Sequence, residues 1–149
     1  MNKKHFFLIP LVGLLTSIFY FTTMFVPHVH AAGFTVNSLL DTPDAVPGDS
    51  SCDDGAGNCT LRAAIEEVNA LGGSGHTVDF SVPGTITLGS SLPTVISGVM
   101  IDGTTAPGAS CDMNSRNVPM EVDFNGFSGI SSNVSDVTIR GLTLYNAQM

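Results

Sequence analysis

The feature that most constrains the fold is one amphipathic stretch, CTLRAAIEEVNA at residues 59–70, in a chain otherwise made of short apolar runs and turn residues. Its apolar side chains recur at helical spacing, so the sequence predicts a single short helix with one buried face. Thr60 is the expected N-cap, and Gly72-Gly73 is the expected stop. On the polar face, Arg62 and Glu66 are spaced for an i,i+4 ion pair. The side chains expected to pack over a strand-built core are Leu61, Ile65 and Val68.

Short alternating runs between turn residues follow the helix, and they predict strands. Val78 and Val99 are 21 residues apart, Val99 and Val122 are 23 apart, and a shorter interval of 15 leads to Val137. A repeat of about 20 residues is typical of a parallel β-helix, whose coils bury their apolar faces by stacking. The competing interpretation is an antiparallel sandwich, which also has short strands at regular intervals.

Residues 59–70 resemble the Cys-Ser/Thr-Leu-Arg-Glu-Ala motif of bacterial secreted and surface proteins. Further segments are similar to the same family: 34–52, 76–93, 99–108 and 137–147. The resemblance implies an all-β fold, a right-handed parallel β-helix of which this chain holds the N-terminal coils, with a short amphipathic capping helix. Ala63 stands where the family has Glu, so the capping-box carboxylate is missing.

Three segments are expected along the chain. Residues 1–31 are predicted to be a signal peptide, because two lysines precede a long apolar run and Val29-His30-Ala31 is a small-x-small cleavage pattern. An uncleaved membrane anchor is the alternative, since the run is long enough to span a bilayer. Residues 32–75 are the expected N-terminal cap with its loop and helix. Residues 76–149 are the expected first coils, which stop without a polar cap and are predicted to continue in a longer protein. The alternatives are a truncated reading frame and a genuine short protein whose end is covered by a partner.

Charge excludes one class of partner. Without the signal segment, three arginines remain against 13 acidic residues, a net charge of −10. Such a surface repels phosphate backbones, so nucleic acid is not an expected partner. The expected location is outside the cell or on its surface.

The three cysteines follow an export signal. Cys52 and Cys59 enclose a six-residue turn, and a disulfide between them is predicted because the exported compartment is oxidising. Cys111 is left over: it could be free, pair between chains, or pair with a residue beyond 149. A metal site is a poor alternative, since the spacing lacks a CxxC pattern.

Two sets of residues are candidates for chemistry. Asp49, Asp53 and Asp54 could offer hard oxygen ligands to calcium, the one cofactor considered, although their spacing differs from an EF-hand. The alternative is a solvated turn whose carboxylates bind backbone groups. Arg140 lies within a predicted strand, and β-helix polysaccharide lyases use a basic residue to abstract a proton. It is therefore the one catalytic candidate, against the alternative of a solvent-facing side chain.

The leading functional interpretation is an exported module of the cell surface or extracellular space that is structural, adhesive or carbohydrate-binding. Its expected partners are extracellular polysaccharide or cell-surface components, with self-association through the uncovered C-terminal coil. Membrane contact is expected only through an uncleaved signal segment. The alternative is a pectate-lyase-like polysaccharide lyase that depends on calcium. Because a fold does not determine an activity, the sequence leaves the ligand open.

We expect export to remove the signal segment after Ala31 or Ala32, because the cleavage pattern ends there. Intact-mass and N-terminal analysis of the exported protein should find a chain that begins near residue 32. An exported chain that still carries Met1 would favour the membrane-anchor alternative.

Overall fold

The computed structural model describes residues 31–112 and 115–148, so nearly all of the predicted signal segment lies outside the described residues. The described part contains one helix, nine short strands and one 3-10 turn. In chain order these are β1 (Gly33–Val36), α1 (Leu61–Leu71), β2 (His76–Phe80), β3 (Gly84–Thr87), β4 (Val99–Asp102), the 3-10 turn (Gly103–Thr105), β5 (Ser110–Asp112), β6 (Ser115–Asn117), β7 (Met120–Asp123), β8 (Val137–Arg140) and β9 (Thr143–Tyr145).

The strands pair in three separate sheets. Strands β1, β2, β4 and β8 form a four-stranded parallel sheet in that order, and β3, β7 and β9 form a three-stranded parallel sheet. Strands β5 and β6 form an antiparallel hairpin. The prediction of an all-β right-handed parallel β-helix is therefore wrong: the strands are short, and they lie in small separate sheets beside one α-helix. The antiparallel sandwich is also wrong, since the larger sheets are parallel.

The spacing argument failed because it treated four valines as members of one ladder. Val122 lies in β7, in the three-stranded sheet, whereas Val99 in β4 pairs directly with Val137 in β8. Between β4 and β8 the chain passes through the hairpin and through β7. Regular spacing along a chain predicts where strands recur, but it does not determine which of them share hydrogen bonds.

One hydrophobic core receives side chains from both parallel sheets and from the helix. Strand alternation selects them: β2 buries His76, Val78 and Phe80 and leaves Thr77 and Asp79 partly exposed. The other parallel sheet contributes a fully buried row at its centre, Ile86 beside Val122. Burial of one such aliphatic or aromatic side chain stabilises a fold by about 2 kcal/mol.

Helix α1 begins after Thr60, whose hydroxyl oxygen accepts a hydrogen bond from the Ala63 N–H at 3.0 Å. The same hydroxyl donates to the Thr42 carbonyl at 2.6 Å, so the cap is held from both sides without a carboxylate at position 63. The helix ends at Gly72, which has a positive φ of 69° and donates its N–H to Val68. Within the described residues, no helix has the length and apolar character needed to cross a bilayer.

His76 joins the end of the helix to the N-terminal strand. Its ring is buried, its Nδ1 accepts a hydrogen bond from the Ala32 N–H at 3.1 Å, and its Nε2 lies 2.8 Å from the Gly72 carbonyl oxygen. A neutral ring with its proton on Nε2 satisfies both partners, since an amide donates and a carbonyl accepts. This histidine is therefore a structural link between three segments.

The Ile65→Asp variant should unfold the described domain, because Ile65 is 1% exposed and lies in the core beneath the helix. Loss of the apolar side chain together with burial of an unpaired carboxylate should lower the free energy of unfolding by about 5 kcal/mol. Urea denaturation followed by circular dichroism measures this change.

Ala70→Asp is the matched control, because Ala70 is an exposed residue of the same helix. It should lower the free energy of unfolding by under about 1 kcal/mol, mainly through helix propensity and the helix dipole. Equal losses in the two variants would contradict the packing described for this helix.

Candidate functional site

The polar face of helix α1 is the most conspicuous cluster of charged groups, and its arginine is structural. The predicted pair of Arg62 with Glu66 does not form. Arg62 instead donates to both carboxylate oxygens of Asp41, from Nε at 3.0 Å and from Nη2 at 2.8 Å. Its two terminal nitrogens also donate to the carbonyl oxygens of Ser90 and Ser91, at 2.8 and 2.9 Å. The buried guanidinium therefore makes four hydrogen bonds, all of them inside the protein.

The two glutamates that follow bind the loop between β1 and the helix. Glu67 is fully buried, and its carboxylate accepts hydrogen bonds from the N–H groups of Gly48 and Ser50. Glu66 accepts one from the Asp44 N–H at 2.7 Å. Gly48 and Ser50 both have positive φ, so the Glu67 carboxylate stabilises a loop conformation that an unfolded chain rarely adopts.

Asn69 is the remaining polar residue of the helix, three residues after Glu66. Its side-chain oxygen accepts from the Ile96 N–H, and its amide donates to the Thr94 carbonyl, both at 2.9 Å. The polar side chains of the helix thus each bind an adjoining loop: Arg62, Glu66, Glu67 and Asn69. The stretch that the sequence marks most strongly is therefore architectural, and the functional surface has to lie elsewhere.

The loop before the helix is closed by a disulfide. Cys52 and Cys59 are bonded, with their Cα atoms 5.0 Å apart, inside the usual range for such bridges. Cys59 is buried beside the helix start; its carbonyl accepts from the N–H of Asn37, the residue after β1, at 3.0 Å, and its N–H donates to the Asn37 side-chain oxygen at 2.9 Å. The bridge therefore fixes the loop to both the first strand and the helix.

The carboxylates proposed as calcium ligands already accept hydrogen bonds from backbone N–H groups of their own loop. Asp49 accepts from the Ser51 N–H at 2.8 Å. One oxygen of Asp53 accepts from the N–H groups of Gly55 and Gly57, at 2.7 and 2.9 Å. Across residues 31–112 and 115–148, no three His, Cys, Asp or Glu side chains are grouped so that they could hold a metal ion.

Asp54, the third candidate, is the most strongly bound of these carboxylates. The Asn58 side chain, then the Thr42 hydroxyl and then the Ala56 N–H donate to it and lower the pKa of Asp54 to about 2. The group is therefore an anion at ordinary pH, and its oxygens serve as acceptors that shape the turn.

Arg140, the catalytic candidate, is paired with Asp102. The two residues lie opposite each other in the register of β4 and β8, and Arg140 Nη2 contacts one Asp102 oxygen. The other oxygen accepts from the Thr104 N–H at 3.0 Å and from its hydroxyl. The hydrogen bond from Arg140 is the largest cause of a lowered pKa at Asp102, partly opposed by burial of the carboxyl group.

The same contact raises the pKa of Arg140, first through its hydrogen bond to Asp102 and then through the attraction of that charge. A base must release its proton at the working pH before it can accept another. An arginine whose pKa is raised above its already high value does not do so. The geometry therefore supports a role for Arg140 as a fixed cation rather than as a proton-abstracting base.

Arg140 lines a surface cleft with a second arginine. The cleft has a volume of about 420 Å³. Arg116 lies in β6 directly opposite Cys111 in β5, so both side chains leave the hairpin on one face. We call this feature the arginine cleft, and its lining residues are Thr104, Cys111, Arg116, Val118, Arg140 and Gly141.

Sequence reasoning missed the arginine cleft because it missed the hairpin. The segment around Cys111 and Arg116 has no apolar alternation, which is the signal that predicts a strand. The number of arginines was a usable hint: the sequence holds only three, at positions 62, 116 and 140, and the first of them was expected in a helix.

No family model matches the sequence, and no curated protein or solved structure matches it either. Three features of the described residues remain as a basis for function. They are the loop before the helix with its Cys52–Cys59 disulfide, the edge strands β8 and β9, and the arginine cleft.

The Asp102→Asn variant should be less stable than the wild type by about 1 kcal/mol at pH 6, since the partner arginine is 55% exposed and solvent screens the pair. A carboxyl group with a lowered pKa adds stability above its unfolded-state pKa and loses it as pH falls through the folded value. The difference between the two proteins should therefore shrink as pH falls below about 4. Urea denaturation at pH 6 and at pH 2.5 measures it.

Asp136→Asn is the control, because Asp136 is exposed and its side chain makes no hydrogen bond to any described residue. It should keep the acid dependence of the wild type. If Asp102→Asn also keeps that dependence, the Arg140–Asp102 pair does not contribute to stability.

Proposed function

We propose that this protein is an exported module of the extracellular space or cell surface with a structural or adhesive role. The observation that carries the proposal is the disulfide between Cys52 and Cys59, which ties the loop to the helix start. Disulfides persist in oxidising compartments and are rare in the cytosol. The apolar N-terminal segment and the resemblance of residues 59–70 to a motif of secreted and surface proteins support the same compartment.

The two parallel sheets supply a surface suited to assembly. Strands β8 and β9 are each the last strand of a sheet, and neither has a second neighbour among the described residues. An edge strand presents unpaired N–H and C=O groups to any further strand. Leu144 in β9 continues the row of Ile86 and Val122, yet it is 44% exposed where they are fully buried. A partner surface or a second copy that covered this edge would bury it.

The pectate-lyase-like alternative receives no support from the candidate base, because the raised pKa of Arg140 keeps that side chain protonated. The acidic charge of the chain also favours neutral or cationic partners over most of its surface. Extracellular polysaccharide and cell-surface components remain the proposed partners.

The proposal is tested in cells that express the full chain. Exported protein, alkylated under denaturing conditions before reduction, should gain one label, at Cys111. After reduction it should gain three, because the sequence holds three cysteines and two of them are bonded. A Cys52→Ser/Cys59→Ser double variant should gain one label in both conditions, and intact-mass analysis counts the labels.

Protein retained inside the cell with three free thiols would contradict the proposal. The purified chain should also release no unsaturated products from polygalacturonate in the presence of calcium. Such activity would replace the structural role with the lyase. Its loss in Arg140→Ala would make Arg140 catalytic after all, and its survival there would assign the chemistry to other residues.

A further inference from the structure

We propose that the arginine cleft binds an oxyanion, the carboxylate or sulfate group of a small ligand, with Arg116 as its main contact. This proposal concerns the folded protein alone and does not depend on export. It adds a ligand class to a surface whose role the sequence does not indicate.

The first observation in support is the distribution of positive charge over the protein. After the signal segment, the only cations with permanent charge are Arg62, Arg116 and Arg140. Arg62 is buried and bound to Asp41, so it offers nothing to solvent. The other two arginines, Arg116 and Arg140, both line the arginine cleft. The protein is otherwise strongly acidic. Its volume of about 420 Å³ lies within the range of small-molecule sites.

The second observation is that the two guanidinium groups of the cleft have hydrogen-bond donors without a partner among the described residues. Arg140 has one polar partner among the described residues, Asp102, which its Nη2 contacts, and its side chain is 55% exposed. Arg116 is exposed and has no partner among the described residues. A guanidinium is a planar fork of donors that matches the two oxygens of a carboxylate or two oxygens of a sulfate. Free donors of this kind point to an oxyanion.

Neighbouring negative charge sets the strength of the site. Asp102 neutralises much of Arg140, and Asp79 is close enough to contribute to its raised pKa. The free charge in the cleft is therefore chiefly that of Arg116. Binding should be weak and sensitive to salt, because solvent-exposed charges are screened over about 10 Å at 0.1 M ionic strength.

Cys111 provides a built-in probe of the cleft. It is exposed, it faces Arg116 across the hairpin, and it is the one cysteine outside the disulfide. A disulfide reagent that reacts with this thiol therefore does so beside Arg116, at a residue that lines the cleft. The thiolate attacks one sulfur of the reagent, a new protein–reagent disulfide forms, and the other half leaves as a thiolate that is measured by its absorbance.

The experiment compares two reagents on the purified, non-reduced protein. One is the dianionic reagent dithiobis(nitrobenzoate), which carries two carboxylates, and the other is the neutral reagent dithiodipyridine. The ratio of their rate constants removes any effect of a variant on the thiol itself. In Arg116→Gln this ratio should fall by about threefold or more at about 10 mM salt, and the fall should diminish at about 1 M salt.

Two variants serve as controls. Arg116→Lys keeps the charge and should retain most of the wild-type ratio. Asn133→Asp changes the net charge by the same amount as Arg116→Gln but lies outside the cleft on an exposed segment. It should lower the ratio clearly less than Arg116→Gln does, because the added charge does not line the cleft that holds the thiol. Urea midpoints equal to that of the wild type show that each variant is folded.

Competition identifies the ligand chemistry. Sodium sulfate and sodium acetate are compared with sodium chloride at the same ionic strength, with the dianionic reagent and the wild-type protein. If sulfate alone slows the reaction of the dianionic reagent with Cys111, the cleft binds a tetrahedral oxyanion. If acetate slows it, the cleft binds a carboxylate. Either result supports the site. An unchanged ratio in Arg116→Gln, an equal fall in Asn133→Asp, or no slowing by either anion beyond chloride would overturn the proposal.

Discussion

The ion pair between Arg62 and Asp41 is the interaction on which the described architecture depends. It joins the helix to the loop after β1, and through the Ser90 and Ser91 carbonyls it also joins both to the turn after β3. Asp41 accepts a further bond from the Gly89 N–H at 2.8 Å. Loss of one member would leave the other nearly buried and unpaired, which costs about 3–5 kcal/mol in comparable sites. Short strands of three to five residues cannot replace that support.

The remaining polar side chains of the helix extend the same arrangement. Glu67 accepts two backbone N–H groups of the preceding loop, and Asn69 both donates to and accepts from the segment before β4. Loops can lie against a core only where their backbone groups find partners, because a buried unsatisfied group costs about 1–3 kcal/mol. Within the described residues, no buried side-chain nitrogen or oxygen lacks a partner. The helix thus organises the loops on its polar side and the core on its apolar side.

Local features of this fold could be read from the sequence, whereas its pairings could not. The spacing of Leu61, Ile65 and Val68 located the helix and its buried face, since helical periodicity is a property of neighbouring residues. The four valines used for the spacing, Val78, Val99, Val122 and Val137, all lie in strands, namely β2, β4, β7 and β8. The division of those strands between separate sheets depends on contacts 22 to 44 residues apart, as in Glu121 with Thr143 and Gly33 with Thr77. Periodicity carries no information about such contacts.

The roles of the three arginines could not be predicted from the sequence either, because each has a different environment in the folded chain. Arg62 was expected to pair with Glu66 four residues away, but its partner is Asp41, on a loop that only the folded chain brings near. Arg140 is a strand residue, as expected, but the register of β4 and β8 places it against Asp102 and makes it a fixed cation. The sequence predicted no role for Arg116, because its hairpin has no apolar pattern, and only the scarcity of arginines hinted at one. The sequence shows that each residue carries a positive charge. Whether that charge stabilises the fold or stays free for a ligand depends on the partner that the folded chain places next to it. On that ground the arginine with the least support in the fold, Arg116, is the one best placed to bind from solution.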